Sequence, residues 1–292
     1  MVSAPGPRTA ASIAYDQLAL QFVLFGGNVY INGGIQSVAE TWLWNGQTWT
    51  RSSGTGPSAR AYFAMDYDVA RGQVVLYGGQ YDVAGQPQVS LFDFWLWDGV
   101  RWAINSSAPA PKLRFPQGVY DVARGNFVLF GTGDTGLETW LWNGSSWTAA
   151  NPAHSPQARS GEGMAYVASM KQVVLFGGYA SGLGYLNDTW QWDGSDWRNV
   201  QPNPAPPPRV SPTFISGQQA ILFGGGGGSA ALADVWQWDG NQWTQLNPMH
   251  IPQARAAAAG ASDGTYLVIV GGDSAGMVPG VWRWNGSDWN QC

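Results

Sequence analysis

Short apolar runs recur along the chain, and most of them end in a pair of glycines. The first run is Phe22-Val23-Leu24-Phe25-Gly26-Gly27, and later copies span residues 74–79, 127–131, 173–178, 221–225 and 267–272. A short, nearly continuous apolar run is typical of a strand that is covered on both faces. The pattern therefore predicts a series of equivalent strands, each buried inside the protein.

A second pattern, Thr-Trp-Leu-Trp at residues 41–44, alternates along the chain. Trp42 and Trp44 lie on one face of a strand, because side chains repeat every second residue. The Asn-Gly pair that follows predicts a tight hairpin turn, since both residues adopt positive φ at low cost. Trp44 and Trp49 should then lie opposite each other, and such an aromatic pair adds up to about 1 kcal/mol.

These patterns repeat together. The Trp pattern occurs six times and uses all 18 Trp of the chain. Each unit also has an Arg that closely follows a Pro, and these are Arg8, Arg60, Arg114, Arg159, Arg209 and Arg255. Six units of about 49 residues therefore fill the 292-residue chain.

Each unit contains four predicted strands, which we call a, b, c and d. An isolated four-stranded sheet cannot cover both of its faces, whereas sheets stacked around an axis cover one another. We therefore predict an all-β fold, a six-bladed β-propeller with four antiparallel strands per blade, forming a single domain. Its blades are expected at residues 1–54, 55–108, 109–154, 155–203, 204–250 and 251–292. Because the chain starts at strand a, we expect the ring to close by face packing, without a hydrogen-bonded clasp.

The repeated unit resembles the kelch repeat. Three features carry the resemblance: the Gly-Gly doublet after an apolar run, the Trp of strand c, and the Arg that opens each unit. The form Trp-x-Trp-Asp-Gly-x-x-Trp is similar to the bacterial kelch and galactose-oxidase-central-domain type. Gly131-Thr132 departs from the doublet, and Gly280-Val281 lacks the acidic residue that precedes strand c elsewhere. The resemblance covers the whole chain and implies a kelch-type propeller, which is most often an interaction domain.

Composition and charge exclude several classes of partner. Charged residues make up 11% of the chain, the net charge is -5, and no run of Lys and Arg occurs. Nucleic acid is therefore not an expected partner, and no apolar run is long enough to predict insertion into a membrane. We expect a monomer. Residues 1–8 lack the pattern of a signal peptide. The sequence does not fix the compartment, and we favour a secreted or extracytoplasmic location over a cytoplasmic one.

Metal and cofactor chemistry is not predicted. The one cysteine is Cys292, so the chain has neither an internal disulfide nor a thiolate cluster. His154 and His250 occupy matching loop positions two blades apart and have no third ligand in the sequence, so we expect no metal site. No cofactor motif is present.

The b-to-c and d-to-a loops should lie at one end of the propeller, which we call the loop face. These loops vary between units, and variable loops on a rigid scaffold commonly carry binding sites. The b-to-c loops are expected at residues 28–39, 80–91, 132–137, 179–187, 226–233 and 273–280. Tyr30, Tyr81, Tyr179 and Tyr185 lie in them and are candidate ligand contacts.

The six arginines allow two interpretations. As the residues that open the innermost strand, they could ring the channel mouth and bind an anion or an acidic sugar. Alternatively, they could form structural ion pairs between blades with the acidic residues that precede strand c, which are Glu40, Asp93, Glu138, Asp188 and Asp234. Six-fold repetition favours the structural interpretation.

Residues that break the repeat are better candidates for function. The third residue after each Arg is Ala11, Phe63, Gln117, Glu162, Pro212 or Ala258. The resemblance implies Arg-x-x-His at this point, and Glu162 stands in place of that His. Phe63, Gln117 and Glu162 are therefore candidate ligand contacts, and Glu162 is a weak candidate for a general acid or base.

Two functions remain open at this stage. One is a binding module that presents the loop face and the channel mouth to a protein, peptide or glycan. The other is a cofactor-independent isomerase or lyase that acts on a small anionic or sugar-like substrate at the channel mouth. The surroundings of Glu162 distinguish between them.

Overall fold

The computed structural model describes residues 4–31, 33–82, 85–106, 109–134 and 136–292. These residues form six four-stranded antiparallel sheets, each built from strands a to d of one unit. The innermost strands contact one another in chain order, and the first also contacts the last, so the sheets close into a ring. The predicted all-β, six-bladed propeller is confirmed.

The strands are numbered in chain order. Blade 1 contains β1 (Ser12–Asp16), β2 (Gln21–Phe25), β5 (Thr41–Trp44) and β6 (Trp49–Arg51), and its b-to-c loop carries the hairpin of β3 (Asn28–Ile31) and β4 (Gly34–Ser37). Blade 2 contains β7 (Ala64–Asp68), β8 (Gln73–Tyr81), β9 (Val89–Trp97) and β10 (Trp102–Ile104). Blade 3 contains β11 (Arg114–Asp121), β12 (Asn126–Thr132), β13 (Leu137–Trp142) and β14 (Trp147–Ala150).

The second half of the ring follows the same plan. Blade 4 contains β15 (Gly163–Val167), β16 (Gln172–Ala180), β17 (Gly184–Trp192) and β18 (Trp197–Val200). Blade 5 contains β19 (Thr213–Ile215), β20 (Ala220–Gly226), β21 (Ala231–Trp238) and β22 (Trp243–Leu246). Blade 6 contains β23 (Ala259–Ser262), β24 (Leu267–Val270), β25 (Val281–Trp284) and β26 (Trp289–Gln291). Among the described residues, no helix is long and apolar enough to cross a bilayer.

The predicted pairing of tryptophans across the c-to-d hairpin is confirmed. Trp44 pairs with Trp49 in the strand register, and the other blades repeat this pairing. The ring centroids lie 5.1–5.8 Å apart in all six pairs. In the turn between them, the Asn45 side-chain oxygen accepts backbone N–H groups from Gln47 and Thr48. The motif therefore closes each blade by local hydrogen bonds and aromatic packing.

One residue at or just before the start of each strand a has a positive φ of 50–67°. These residues surround the axis at the loop face: Ala10, Tyr62, Phe115, Gly161, Ser211 and Ala257. Backbone bonds link several of them between blades. Tyr62 donates to Ala10 at 3.0 Å, and Ala10 donates to Ala257 at 2.9 Å. The blade 6 to blade 1 junction therefore has the same type of backbone bond as the junction of blades 1 and 2. Blades 1 and 6 are each built from consecutive strands, so no blade is shared between the two ends of the chain, and the expected closure without a hydrogen-bonded clasp is confirmed.

Candidate functional site

Five of the six repeated arginines lie inside the blades. Their exposed fractions are 0–4%, and their Nη1 atoms donate to the carbonyl of the first glycine of the doublet at 2.8–3.0 Å. Their Nε atoms donate to a carbonyl two residues earlier at 2.9–3.1 Å. These residues are Arg8, Arg60, Arg159, Arg209 and Arg255.

Four of these guanidinium groups also bind the carboxylate that precedes strand c of the same blade. The N–O distances are 2.6–2.9 Å for the pairs Arg8–Glu40, Arg60–Asp93, Arg159–Asp188 and Arg209–Asp234. Burial tends to raise the pKa of Asp93, but the bonds from Arg60 and Trp95 outweigh it and lower that pKa. Burial also tends to raise the pKa of Asp234, and the bonds from Arg209 and Trp236 likewise outweigh it and lower that pKa.

The placement of these arginines differs from both sequence interpretations. The guanidinium groups are used inside each blade, so they do not ring the channel mouth as anion ligands. The ion pairs lie within blades, not between them. It is the main chain of each arginine that joins blades: the second glycine of one blade donates to the Arg carbonyl of the next, as in Gly27 to Arg60 and Gly272 to Arg8, both at 2.8 Å.

Blade 3 departs from this arrangement, and the departure corrects two predicted equivalences. Gln117 pairs with Phe130 in the register at which Ala64 pairs with Tyr77 in blade 2. In blade 2 the arginine lies four residues before Ala64. Four residues before Gln117 lies the buried Leu113, not Arg114, so Leu113 occupies the arginine position in blade 3. Arg114 is exposed and sits at the next position in β11. Gln117 therefore lies one residue beyond the position of Glu162.

The missing arginine in blade 3 coincides with other changes around it. In blades 2, 4 and 5 a register shift in strand b accompanies the glycine doublet, whereas β12 and β13 pair without a shift. Blade 3 therefore lacks both the guanidinium and the doublet whose first carbonyl accepts from it. Tyr77 of blade 2 compensates for the missing guanidinium by holding the segment that leads into β11. Its hydroxyl donates to the carbonyl of Pro111 and accepts the N–H of Leu113 at 3.0 Å.

A channel of about 930 Å³ follows the propeller axis and is lined by strand a of every blade. Glu162 lies on its wall in blade 4 and is 2% exposed, and neither carboxyl oxygen has a hydrogen-bond partner among the described residues. Burial raises the pKa of Glu162 to about 8, against the weaker attraction of Arg159. The carboxyl is therefore protonated at neutral pH and can donate a proton.

A second carboxyl on the channel wall, Asp66, was not predicted as a site residue. Burial raises the pKa of Asp66 to about 6, although the backbone N–H groups of Tyr120 and Tyr67 donate to it at 2.8 Å. The bond to Tyr120 joins blade 2 to blade 3, which gives Asp66 a structural role. The signal for it was an acidic residue in the middle of strand a, at a position that is not acidic in the other blades.

Phe63 borders the channel but is mostly buried. Its ring is 7% exposed and packs edge-on against Phe25 of blade 1, with centroids 5.7 Å apart. Phe63 is therefore part of the core between blades 1 and 2, as expected of an apolar side chain at a blade junction.

The predicted tyrosines are exposed at the loop face. Tyr30 lies in the β3–β4 hairpin and is 67% exposed. Tyr81 ends β8 and is 36% exposed, and Tyr179 and Tyr185 face each other across the β16–β17 hairpin with centroids 5.6 Å apart. Strands b and c thus continue through much of the b-to-c segments predicted as loops in blades 2 and 4. Residues 32, 83, 84 and 135 of the predicted loops lie outside the described residues.

Two aromatic residues at the channel mouth were missed by sequence reasoning. Tyr62 and Phe115 are 41% and 42% exposed, and both have positive φ. Burial, and then the charges of Asp82 and Asp273, raise the pKa of Tyr62, so its hydroxyl group lies near two carboxylates of the loop face. A bulky aromatic residue with positive φ is rare, but a backbone angle cannot be seen in the sequence.

The two histidines bind carboxylates of neighbouring turns. The Nδ1 atoms of His154 and His250 lie 2.7 Å from Asp196 and Asp288, respectively. Within the described part of the chain, no group of three or more His, Cys, Asp or Glu is arranged to hold a metal ion. These histidines therefore fasten the d-to-a loops to the next blade.

Comparison with known proteins supports the assignment of the fold. No curated protein matches the chain. A solved structure titled "Structure of YjhT" matches 100% of this chain and 99% of its own, with 15% sequence identity and a TM-score of 0.74. The family model described as the KLHDC2/KLHL20/DRC7 Kelch-repeats domain matches residues 137–289. Kelch propellers generally bind protein partners. With the repeated geometry described above, these matches show that the chain belongs to the kelch-repeat family.

Proposed function

We propose that the protein is a binding module whose loop face receives a protein, peptide or glycan ligand. One observation carries the proposal: in the described part of the chain, every aromatic residue among the exposed large apolar side chains lies at this face. They are Tyr30, Tyr62, Tyr81, Phe115, Tyr179 and Tyr185. Aromatic side chains supply contact area at low entropic cost and are enriched where proteins bind partners.

A hydrogen-bond network between two blades supports the same face as the binding surface. The side chain of Asn28 donates to Asp82 at 3.1 Å, and the hydroxyl of Ser37 donates to the Asn28 side-chain oxygen at 2.7 Å. The backbone N–H of Asp82 completes the network by donating to the Ser37 hydroxyl at 2.9 Å. Loops of blades 1 and 2 are therefore fixed to each other beside Tyr62 and Tyr81. A surface that is ordered before binding loses less entropy when a ligand arrives.

The opposite face, which carries the a-to-b and c-to-d turns, provides a matched control. Leu18 and Val100 are exposed there by 77% and 76%, but neither is aromatic. A random-peptide display library and a glycan array, each probed with the purified protein, test the proposal. Bound peptides or glycans should be lost with the Tyr62→Ser/Phe115→Ser variant and retained with the Leu18→Ser/Val100→Ser variant. Equal loss with both variants, or no loss with the first, would contradict the proposal.

Serine is a suitable replacement at both mouth positions. Ser211 occupies the equivalent position in blade 5 with a φ of 50°. The substitutions therefore remove the aromatic rings without demanding a new backbone conformation. Both variants should keep the thermal unfolding midpoint of the parent protein.

The enzyme alternative rests on Glu162, an unpartnered carboxyl on the channel wall with its pKa near 8. A carboxylic acid that stays protonated at neutral pH can act as a general acid in isomerisation or elimination. The repeated arginines no longer support an anionic substrate, because Lys171 is the one Lys or Arg among the described residues that line the channel. Incubation with neutral and acidic monosaccharides, followed by proton NMR, tests this function. Conversion that is lost in Glu162→Gln supports the alternative, and unchanged spectra with the parent protein contradict it.

A further inference from the structure

The junction of blades 3 and 4 lacks a backbone bond that recurs around the channel mouth. At four junctions the positive-φ residue of one blade donates its N–H to the equivalent carbonyl of the preceding blade at 2.5–3.0 Å. These bonds run from Tyr62 to Ala10, Ala10 to Ala257, Ala257 to Ser211 and Ser211 to Gly161. At the junction of blades 3 and 4 the corresponding bond would run from Gly161 to Phe115, and it is absent. The N–H of Gly161 therefore has no partner among the described residues.

The side chains of Gln117 and Glu162 enter this junction from opposite sides. The third residue after the repeated arginine points to the preceding blade, as the ring of Phe63 does when it packs against blade 1. The fourth points to the following blade: the hydroxyl of Thr213 in blade 5 donates to the carbonyl of Ala258, the third residue of blade 6, at 3.0 Å. Glu162 holds the third position in blade 4, and Gln117 holds the fourth in blade 3. They are therefore neighbours across the junction.

Neither of these two side chains is satisfied by the protein. Glu162 is 2% exposed and neither of its oxygens has a partner, and the half-buried amide of Gln117 makes no hydrogen bond within the described part of the chain. Burial keeps Glu162 protonated at neutral pH, so one oxygen can donate while the other accepts. Gln117 likewise offers both a donor and an acceptor. Leaving such buried groups without partners is costly.

The three polar groups open on the channel that follows the propeller axis, because Gln117, Gly161 and Glu162 all line it. At the level of Glu162 the channel wall is otherwise apolar, formed by Ala11, Phe63, Pro212 and Ala258. The nearby guanidinium of Arg159 is held by Asp188 at 2.6 and 2.8 Å. The polar groups that face the channel at this point are therefore uncharged, and they favour a neutral ligand with both donors and acceptors.

We propose that the channel wall between blades 3 and 4 binds a primary carboxamide, such as the side chain of an Asn or Gln in a bound peptide. This inference rests on the proposed function, because the amide enters the channel from the loop face. Its carbonyl accepts from the Glu162 carboxyl and from the Gly161 N–H. Its two N–H groups donate to the other Glu162 oxygen and to the side-chain oxygen of Gln117. An ammonium group has no acceptor and a carboxylate has no donor, so neither matches this set.

Acetamide is a suitable probe, because it carries the primary amide and little else. We expect it to shift the Gln117 side-chain amide and Gly161 backbone N–H resonances saturably in a nitrogen–proton correlation spectrum of the purified protein. Methylammonium and acetate lack an acceptor or a donor that the site uses, and N-methylacetamide lacks the second N–H. Each should bind at least about tenfold more weakly than acetamide.

Substitutions at the junction test the same contacts. Gln117→Leu removes one acceptor and should weaken acetamide binding by about tenfold. Thr213→Val is the matched control, because it removes a polar atom at the equivalent position of blade 5, and its affinity should equal that of the parent protein. Glu162→Met should abolish binding. Glu162→Gln keeps a donor and an acceptor, so it should bind acetamide more tightly than Glu162→Met does.

The proposal is overturned if acetamide causes no saturable shift, or if any of the other three probes binds as tightly. Equal binding by Gln117→Leu and Thr213→Val also overturns it, and this comparison decides the question even if Glu162→Met does not fold. Peptides that bind the loop face of a protein that ignores acetamide would remove this inference alone. An acetamide site in a protein that binds no peptide or glycan would instead remove the proposed function.

Discussion

Arg60 and Asp93 form a two-bond ion pair inside blade 2, with Nη1–Oδ1 and Nη2–Oδ2 distances of 2.6 and 2.9 Å. The same Nη1 atom also donates to the carbonyl of Gly78 at 2.9 Å. The repeated arginine thus holds the glycine doublet of strand b to the start of strand c. The charge of Arg60 is neutralised within the scaffold and is not offered to a ligand.

The first prediction concerns that pair. Asp93→Ala leaves the buried Arg60 guanidinium without a counter-ion, and removing one partner of a buried pair typically costs about 3–5 kcal/mol. We expect the free energy of unfolding, measured in urea, to fall by about that amount. Arg101→Ala is the control, because Arg101 is 79% exposed in its pair with Asp98, so the change should be below about 1 kcal/mol. Equal effects of the two substitutions would show that the buried pair is not structural.

The second prediction concerns Glu162. Its pKa rises from 4.5 to about 8 in the folded protein, so between these pH values the folded state holds a proton that the unfolded state releases. Stability should therefore fall as pH rises through this window, by about 1.4 kcal/mol per pH unit from this group. Glu162→Gln has no such proton, so its unfolding free energy should decline less steeply from pH 5 to pH 8. Asp66 contributes equally to the pH dependence of both proteins, so its contribution cancels when the two profiles are compared. Parallel pH profiles for the two proteins would contradict a buried, unpartnered carboxyl.

The third prediction repairs an unsatisfied tryptophan. The indole N–H of Trp289 is buried without a partner among the described residues, and Val235 occupies the position at which Thr139 accepts from Trp197. Val235→Thr keeps the side-chain shape and supplies an acceptor, which should stabilise the protein by about 1 kcal/mol.

The reverse substitution provides the control. Thr139→Val leaves the Trp197 indole N–H buried and unpaired, and should cost about 1–3 kcal/mol. Urea denaturation of both variants measures the two effects. Destabilisation by both substitutions would mean that the threonine contributes through packing and not through its hydroxyl.

The blade count, the strand order and the Trp44–Trp49 pairing could be predicted from the sequence because each is specified by a pattern that repeats in every unit. Local turn chemistry is read from neighbouring residues, so Asn45-Gly46 was sufficient for the hairpin. The correspondence in blade 3 could not be predicted, because spacing alone does not show that Leu113 replaces the arginine. Hydrogen-bond register depends on partners distant in the chain, and only the structure shows it.

The candidate site was predicted only in part. Glu162 was recognised because it interrupts a repeat, and the exposed tyrosines because they lie in variable segments. Tyr62 and Phe115 were missed because their exposure depends on a positive φ near the start of strand a, and a backbone angle cannot be predicted from residue type alone. Two interpretations of the arginines stayed open, a ring at the channel mouth and ion pairs between blades, because position along a strand does not reveal which partner satisfies a side chain.

The most direct test of the account measures the dissociation constant of one peptide or glycan, selected on the parent protein, for two double variants. Tyr62→Ser/Phe115→Ser removes exposed rings from the loop face, and Leu18→Ser/Val100→Ser removes comparable apolar surface from the opposite face. Loss of two aromatic contacts in a binding site should raise the dissociation constant by at least about tenfold. The account predicts that rise for the first variant and an unchanged constant for the second. An unchanged constant for the first, or a rise only for the second, would contradict it.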